Sequence, residues 1–241
     1  MHYTLITFAR IDSTQRWARG WAELGAGEGL AVQADEQTAG RGRLQRSWWS
    51  PPDSGLYLSV LLRPRIPLTQ APRLTMLAAL AAADACAQIA GIRPQAKWPN
   101  DLIWQGRKLA GILTELGQAE GQLRYAVIGL GLNVNTHFQG DLAGTAISLA
   151  AITARRTALP TARDAFLAAL ARRYDRFLAG ESPHTAWQQD LAPLGRRVRV
   201  EQPNRPDLVG QAVGVHPDGA LLVCDDRGIL HTVWAGDLHP L

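Results

Sequence analysis

The sequence predicts an α+β fold, a mixed sheet with flanking helices, followed by a small SH3-like β-barrel at the C-terminal end. Three observations predict it. Short β-rich runs alternate with amphipathic helical patterns up to about residue 192. Two consecutive apolar runs, 109–116 and 123–130, are joined by a glycine-containing link and read as a hairpin, which favours antiparallel pairing over a doubly wound parallel sheet. Beyond that, only strand patterns remain, so the chain divides into 1–192 and 193–241.

In chain order, Thr4 to Phe8 reads as a strand and 13–24 as a helix, with one of Asp12, Ser13 and Thr14 as its N-cap. Strands are expected at Leu30 to Ala34 and Leu56 to Leu62, and a helix at 73–90. The hairpin strands begin at Lys108 and Leu123, with the link at Gly117 to Gln122. A helix over 161–179 is expected to start on Thr161 as N-cap and to stop at Gly180 as its C′ residue. Four short strands then follow, in RVRVEQ, LVGQAVGV, GALLVCD and ILHTVW, separated by Pro, Asn, Asp and Gly.

At 241 residues, 46% hydrophobic and 19% charged, the composition excludes a disordered or fibrous chain. A formal charge of +4 is too small to imply a nucleic-acid partner. Among the twenty-five basic residues only Lys97 and Lys108 are lysines, which makes them candidates for positions that need a compact ammonium. Cys86 and Cys224 form no disulfide framework and are expected as buried thiols. No signal peptide is visible, and the apolar run Met76 to Ala83 is far shorter than the ~20 residues that span a bilayer, so a cytoplasmic protein is expected.

Three constellations carry chemistry. In Gln37-Thr38-Ala39-Gly40-Arg41-Gly42-Arg43, glycines admit an anion close to backbone N–H groups and arginines supply charge. It is no dinucleotide fingerprint, because Gln45 stands where the third glycine belongs. Lys97-Trp98-Pro99-Asn100-Asp101-Leu102 presents Asn100 and Asp101 from a proline-stiffened corner, and Arg107 to Leu113 follows with Lys108 at the start of an apolar strand. Asp12-Ser13-Thr14 offers a hydroxyl beyond the one a helix cap uses.

Taken with Trp48 and with IGLGLNVN at 128–135, these segments resemble the biotin protein ligases in family order over most of residues 12–135. KWPNDL followed by RKLAGIL is the specific part. The resemblance implies a class II synthetase-like catalytic domain. It would activate biotin with ATP and magnesium to biotinyl-5′-AMP, then transfer biotin to a lysine of a biotin carboxyl carrier protein or domain.

On the matching positions, Ser13, Thr14, Gln37, Gly40, Arg41, Gly111, Gly129, Gly131 and Leu132 would line the biotin site. Arg41, Arg43, Trp48, Lys97, Asn100, Asp101, Lys108 and Asn133 would meet ATP and the adenylate, with Asp101 also on the metal. Lys108 and Arg43 would be catalytic. A ureido ring has one acceptor and two donors, which suits short hydroxyl and amide groups in an apolar slot. The family's loop often continues with a glycine where this chain has Gln45. Ser13 lies a dozen residues from the start, so a DNA-binding winged helix is not expected; the resemblance allows a homodimer and implies no membrane partner. Lipoate or octanoate transferases share the reaction logic, but KWPNDL with GRGR favours biotin.

Overall fold

The computed structural model describes residues 1–192, 194–203 and 205–241. Its larger sheet has seven strands in the order β1 (Thr4–Ile11), β2 (Leu30–Gln37), β3 (Gly55–Leu62), β7 (Gln122–Asn133), β6 (Arg107–Ala119), β5 (Asp101–Trp104) and β4 (Gln95–Lys97). β1 and β2 pair parallel; every other neighbouring pair is antiparallel, as the hairpin reading required. The hairpin is β6–β7, and both strands run further than expected, leaving Glu120 and Gly121 as a two-residue turn with φ of 52° and 73°. Positive φ at both central positions is the geometry that matches the twist of the flanking strands.

Because side chains alternate along a strand, the two faces of this sheet differ. One face packs Leu56, Leu58, Val60, Ile112, Ile128, Leu130 and Leu132 against α2 (Pro72–Ala90) and α4 (Leu159–Leu178). On the opposite face α1 (Thr14–Glu23) places Ala18 and Ala22 over Val32, Leu61, Tyr125 and Val127. Past the N-terminus of α1, that second face is left to Ser59, Gly111, Gly129 and Gly131, and the candidate site lies there.

With the turn before it, α2 extends over Leu68–Ala90, 23 residues, and by length and composition alone it would cross a membrane, which the eight-residue apolar run had not suggested. Its side chains from Leu74 to Cys86 are instead largely buried in the protein core. Helix α4 starts two residues earlier than expected, with Ala158 at the N-cap and Pro160 in the first turn, so Thr161 is not the cap. Gly180, at φ 100°, follows the helix end as the sequence suggests. The short elements β4, β5, α3 (Leu149–Thr153) and α5 (His184–Gln189) carry too few residues to show a period.

The C-terminal part is a five-stranded antiparallel sheet in the order β11 (Leu230–Val233), β10 (Leu221–Cys224), β9 (Leu208–Val215), β8 (Arg197–Glu201) and β12 (Asp237–Pro240). Four strands were legible; β12, four residues ending in proline, was not. The expected boundary at 193 lies outside the described residues. Val198, Val200, Leu221 and Leu238 join the main core cluster, and the buried Trp98 indole donates to Gly219 O at 2.9 Å, so the two sheets form one packed body. Both cysteines are free; Cys86 is buried as expected, whereas Cys224 is half-buried.

Candidate active site

The floor of the site is built from two rungs of the larger sheet. Ser59, Gly129 and Leu113 lie opposite one another on β3, β7 and β6. Two residues along, at about 6.6–6.8 Å for strand geometry, the next rung is Tyr57, Gly131, Gly111 and Asp101. The glycines are there because side chains already fill the space above them. A Cβ on Gly129 would stand 2.6 Å from Gln15 Oε1, one on Gly131 2.6 Å from Trp48 Nε1, and one on Gly111 2.9 Å from Trp48 Cζ3.

The first rung ends in uncharged polar groups. Gln37 Oε1 accepts from Thr14 N at 2.8 Å and from Thr14 Oγ1 at 3.1 Å, while the Thr14 and Ser59 hydroxyls are 2.9 Å apart. Ser59 donates to Gln15 Oε1 at 3.0 Å, and Gln15 Nε2 donates to Val127 O at 3.0 Å. Ser13 takes the N-cap position of α1, yet its hydroxyl makes no capping bond and is buried without a partner. Asp12 instead accepts from Ser13 N, Arg16 and the Trp17 indole, which together hold its pKa below the ordinary carboxylate value against the opposing effect of desolvation. The free hydroxyl that the sequence offered is thus the one on Ser13.

The second rung ends in charge. Lys108 Nζ is 2.8 Å from Asp101 Oδ2 and lies over the Trp48 ring at 5.3 Å from its centroid. The Lys108 backbone is fixed on two sides: its N–H donates to Thr145 O, and its carbonyl accepts from Ile147 N and Asn133 Nδ2. Asn100 is locked by its own N–H2 on Ile112 O at 2.6 Å and receives Arg43 Nη1 at 3.2 Å. Desolvation of the half-buried Arg43 guanidinium pushes its pKa down, opposed by the nearby Asp237 and Asp101 carboxylates. Arg41 pairs with Glu115 at 3.2 Å.

Twelve of the sixteen residues anticipated from sequence line this one cavity: Ser13, Thr14, Gln37, Arg41, Arg43, Trp48, Asn100, Asp101, Lys108, Gly111, Gly129 and Gly131. Lys97 and Asn133 face a neighbouring hollow of about 550 Å³ with Trp49, Phe138, Trp48 and Lys108. The first cavity holds about 130 Å³. Ser47, Trp48, Asp101 and Lys108 line both. Two expected lining residues, Leu132 and Gly40, are not among the residues that line either cavity. Leu132 is one step out of phase with Gly129 and Gly131, so its side chain points to the opposite face and is fully buried in the core. Gly40 lies beneath the loop, where a Cβ would meet the Trp48 carbonyl and stand 2.7 Å from Ser50 Oγ.

Among the lining residues that were not anticipated are Gln15, Ser59, Arg46 and Asp237. Ser59 did carry a signal, as the one aliphatic hydroxyl inside the fully buried strand Gly55–Leu62, where a polar group needs a partner. Asp237 reaches the site from β12, 191 residues beyond Arg46, and no local pattern marks it.

The biotin/lipoate A/B protein ligase family model matches residues 7–133, and the model of the biotin protein ligase C-terminal domain matches 194–237. The chain belongs to the biotin/lipoate A/B protein ligase family. Among relatives, the bifunctional ligase/repressor BirA of Bacillus spizizenii is 37% identical over 224 residues, 91% of this chain and 69% of that protein. The biotin–[acetyl-CoA-carboxylase] ligase of Mycobacterium tuberculosis is 33% identical over 220 residues, 88% of this chain and 79% of its own length. Among solved structures, the Aquifex aeolicus biotin protein ligase in complex with biotin and ATP superposes with a TM-score of 0.83 at 27% identity, covering 99% of this chain and 98% of that one. In this ligase family, the hydroxyl and amide rung and the lysine–aspartate rung of one slot acquire a chemical meaning.

Proposed function

We propose that this protein activates biotin with ATP and transfers it to a lysine on the biotin carboxyl carrier protein or domain of a carboxylase. The observation that carries this reading is the slot itself, whose uncharged end (Ser13, Thr14, Gln37) and cationic end (Arg43, Lys108) are one pair of rungs apart on a glycine floor. The neutral ring would bind at the first end, with its carboxylate directed to the second.

In the first step a biotin carboxylate oxygen attacks the α-phosphorus, the bond to the β-phosphate oxygen breaks, and pyrophosphate leaves with the electron pair. In the second, the neutral amine of the carrier lysine attacks the acyl carbon, the C–O bond to AMP breaks, and the amine gives up its proton to solvent. Lys108 is proposed to neutralise developing charge on the α-phosphate in both steps, with Asp101 holding its ammonium in place at 2.8 Å. Arg43, and Arg41 once released from Glu115, would meet the carboxylate and phosphates. Trp48 would cover the adenylate, and Lys97 and Asn133 would border the nucleotide side.

Magnesium would arrive on the ATP phosphates as part of that substrate. Among the described residues no three His, Cys, Asp or Glu side chains gather as a metal site, and the buried, unpartnered Oδ1 of Asp101 is the oxygen proposed to face the ion. The division into a catalytic unit of 1–192 and an SH3-like unit from 193 belongs to the same proposal. A nucleic-acid role for Arg196, Arg197 and Arg199 is disfavoured, because Arg197 pairs with Asp226 at 2.7 Å and Arg199 with Glu201 at 3.0 Å. Pyrophosphate release from ATP that depends on added biotin tests the reading; release unaffected by biotin would reject it.

Trp48 fills the space over Gly111 and Gly131, so ligand entry requires the 41–48 loop to lift and close again. That loop holds Leu44 and Gln45 at φ of 52° and 61°, a conformation that costs a non-glycine residue about 1 kcal/mol or more. Amide exchange across 41–48 is therefore expected to slow with saturating biotin and ATP, measured by hydrogen–deuterium exchange, and unchanged exchange would contradict the role given to the loop. Arg43→Gly removes the link to Asn100 while leaving the core untouched. Biotinyl-adenylate should then escape and label lysines of bystander proteins, detectable by blotting with a biotin-binding probe; labelling confined to the carrier would assign Arg43 another role.

A further inference from the structure

We infer that Asp237, contributed by the C-terminal sheet, is a positioning residue for adenylate retention: through Arg46 it latches the 41–48 loop across the cavity of the larger sheet. The inference rests on the reading of that cavity as the site of biotin activation.

Apart from Trp48, whose ring lies over Gly111 and Gly131, the loop has little else to hold it. No residue from Arg41 to Ser47 is buried, and Leu44, its one aliphatic side chain, is 54% exposed. Its attachments are polar: Arg41 to Glu115, Arg43 to Asn100, and Arg46 to Asp237. The first two are internal to the ligase sheet; only the third ties the loop to a separate layer. It is a two-pronged pair, with Arg46 Nη1 on Asp237 Oδ1 at 3.1 Å and Nη2 on Oδ2. Such forks fix direction as well as distance.

The two ends of the latch are unequal. Asp237 stands on β12, paired in register with Glu201 of β8, and its neighbour Leu238 is buried at 1% exposure, so the carboxylate is anchored. Arg46 is the exposed end, and its backbone closes the same turn that carries Arg43: Gly42 N donates to Arg46 O at 2.7 Å, and Arg46 N donates to Arg43 O at 3.1 Å. Pulling Arg46 toward Asp237 therefore holds Arg43 over Asn100. Both Arg46 and Asp237 line the cavity, so the C-terminal sheet forms part of its wall.

The test uses the full chain as wild type, Asp237→Asn, Asp237→Arg, and the exchanged pair Arg46→Asp with Asp237→Arg. Biotinyl-adenylate is formed in each and its release is followed by a chase with excess unlabelled biotin. Amide exchange at 41–48 is read in the ligand-free proteins, and thermal melting serves as a folding control. Both single substitutions at 237 should speed release by up to about fivefold, the upper end for loss of a partly exposed ion pair, speed loop exchange, and leave the melting midpoint close to wild type. The exchanged pair should restore slow release. Release and exchange at wild-type rates in Asp237→Asn, or an exchanged pair no better than Asp237→Arg, would overturn the latch. A wild type that forms no adenylate would reject the reading of the cavity instead, and exchange in the ligand-free loop would still decide whether Asp237 holds it.

Discussion

Lys108→Arg should lower biotin-dependent pyrophosphate release by about 10² to 10³, although charge is conserved, which is the typical cost of losing one well-placed transition-state donor. The ammonium lies between Asp101, 2.8 Å away, and the face of Trp48, 5.3 Å from its ring centroid. A guanidinium is longer and planar, so it can keep the Asp101 contact only by moving its charge away from the position Nζ holds. Leu109 and Ile112 still supply the buried packing of β6, so the variant should melt near wild type. Biotin affinity should change less than the rate, because Lys108 lies on the charged rung. Pyrophosphate release, calorimetric biotin titration and thermal melting together check this; release at a near wild-type rate would remove Lys108 from the chemistry.

Gly129→Ala should have the second-largest effect, on binding. The added Cβ would lie 2.6 Å from Gln15 Oε1, the atom that accepts from Ser59. Gln15 cannot swing away freely, since it is 3% exposed and its amide donates to Val127 O. Displacing it leaves buried polar groups unpaired at about 1–3 kcal/mol, equivalent to roughly 5- to 150-fold if the loss falls on the biotin end. Gly20→Ala, where a Cβ meets nothing within 4 Å, is the control. Titration with biotin checks it, and an affinity within about twofold of wild type would show that the Gln15–Ser59 pair does not shape the ligand site.

How far the sequence foretold these features follows from the range of the interactions involved. Strands and helices long enough to show a period were legible, and so were the glycines and charged residues of the two loops, because backbone freedom and charge are local properties. The Leu132 side chain lies in the core rather than the cavity for a reason the sequence contains: strand alternation separates it from Gly129 and Gly131. Gly40, expected at the ligand, stands where the chain passes close to Trp48 and Ser50, a long-range packing requirement that no local pattern shows. Gln15 looked like an ordinary residue in the first turn of a helix until Ser59, forty-four positions away, gave it a partner. Asp237 depends on the docking of the second sheet, a contact that no window of sequence contains.

The central claim is that this slot couples biotin, ATP and a carrier lysine. It is tested most directly by intact mass spectrometry of a biotin carboxyl carrier domain after incubation with this protein, ATP and magnesium, with either biotin or lipoate supplied. The account predicts one biotinyl group on one lysine in the biotin reaction, no addition when ATP is omitted, and no addition with lipoate. A carrier left unmodified by biotin, or modified by lipoate in its place, would contradict it.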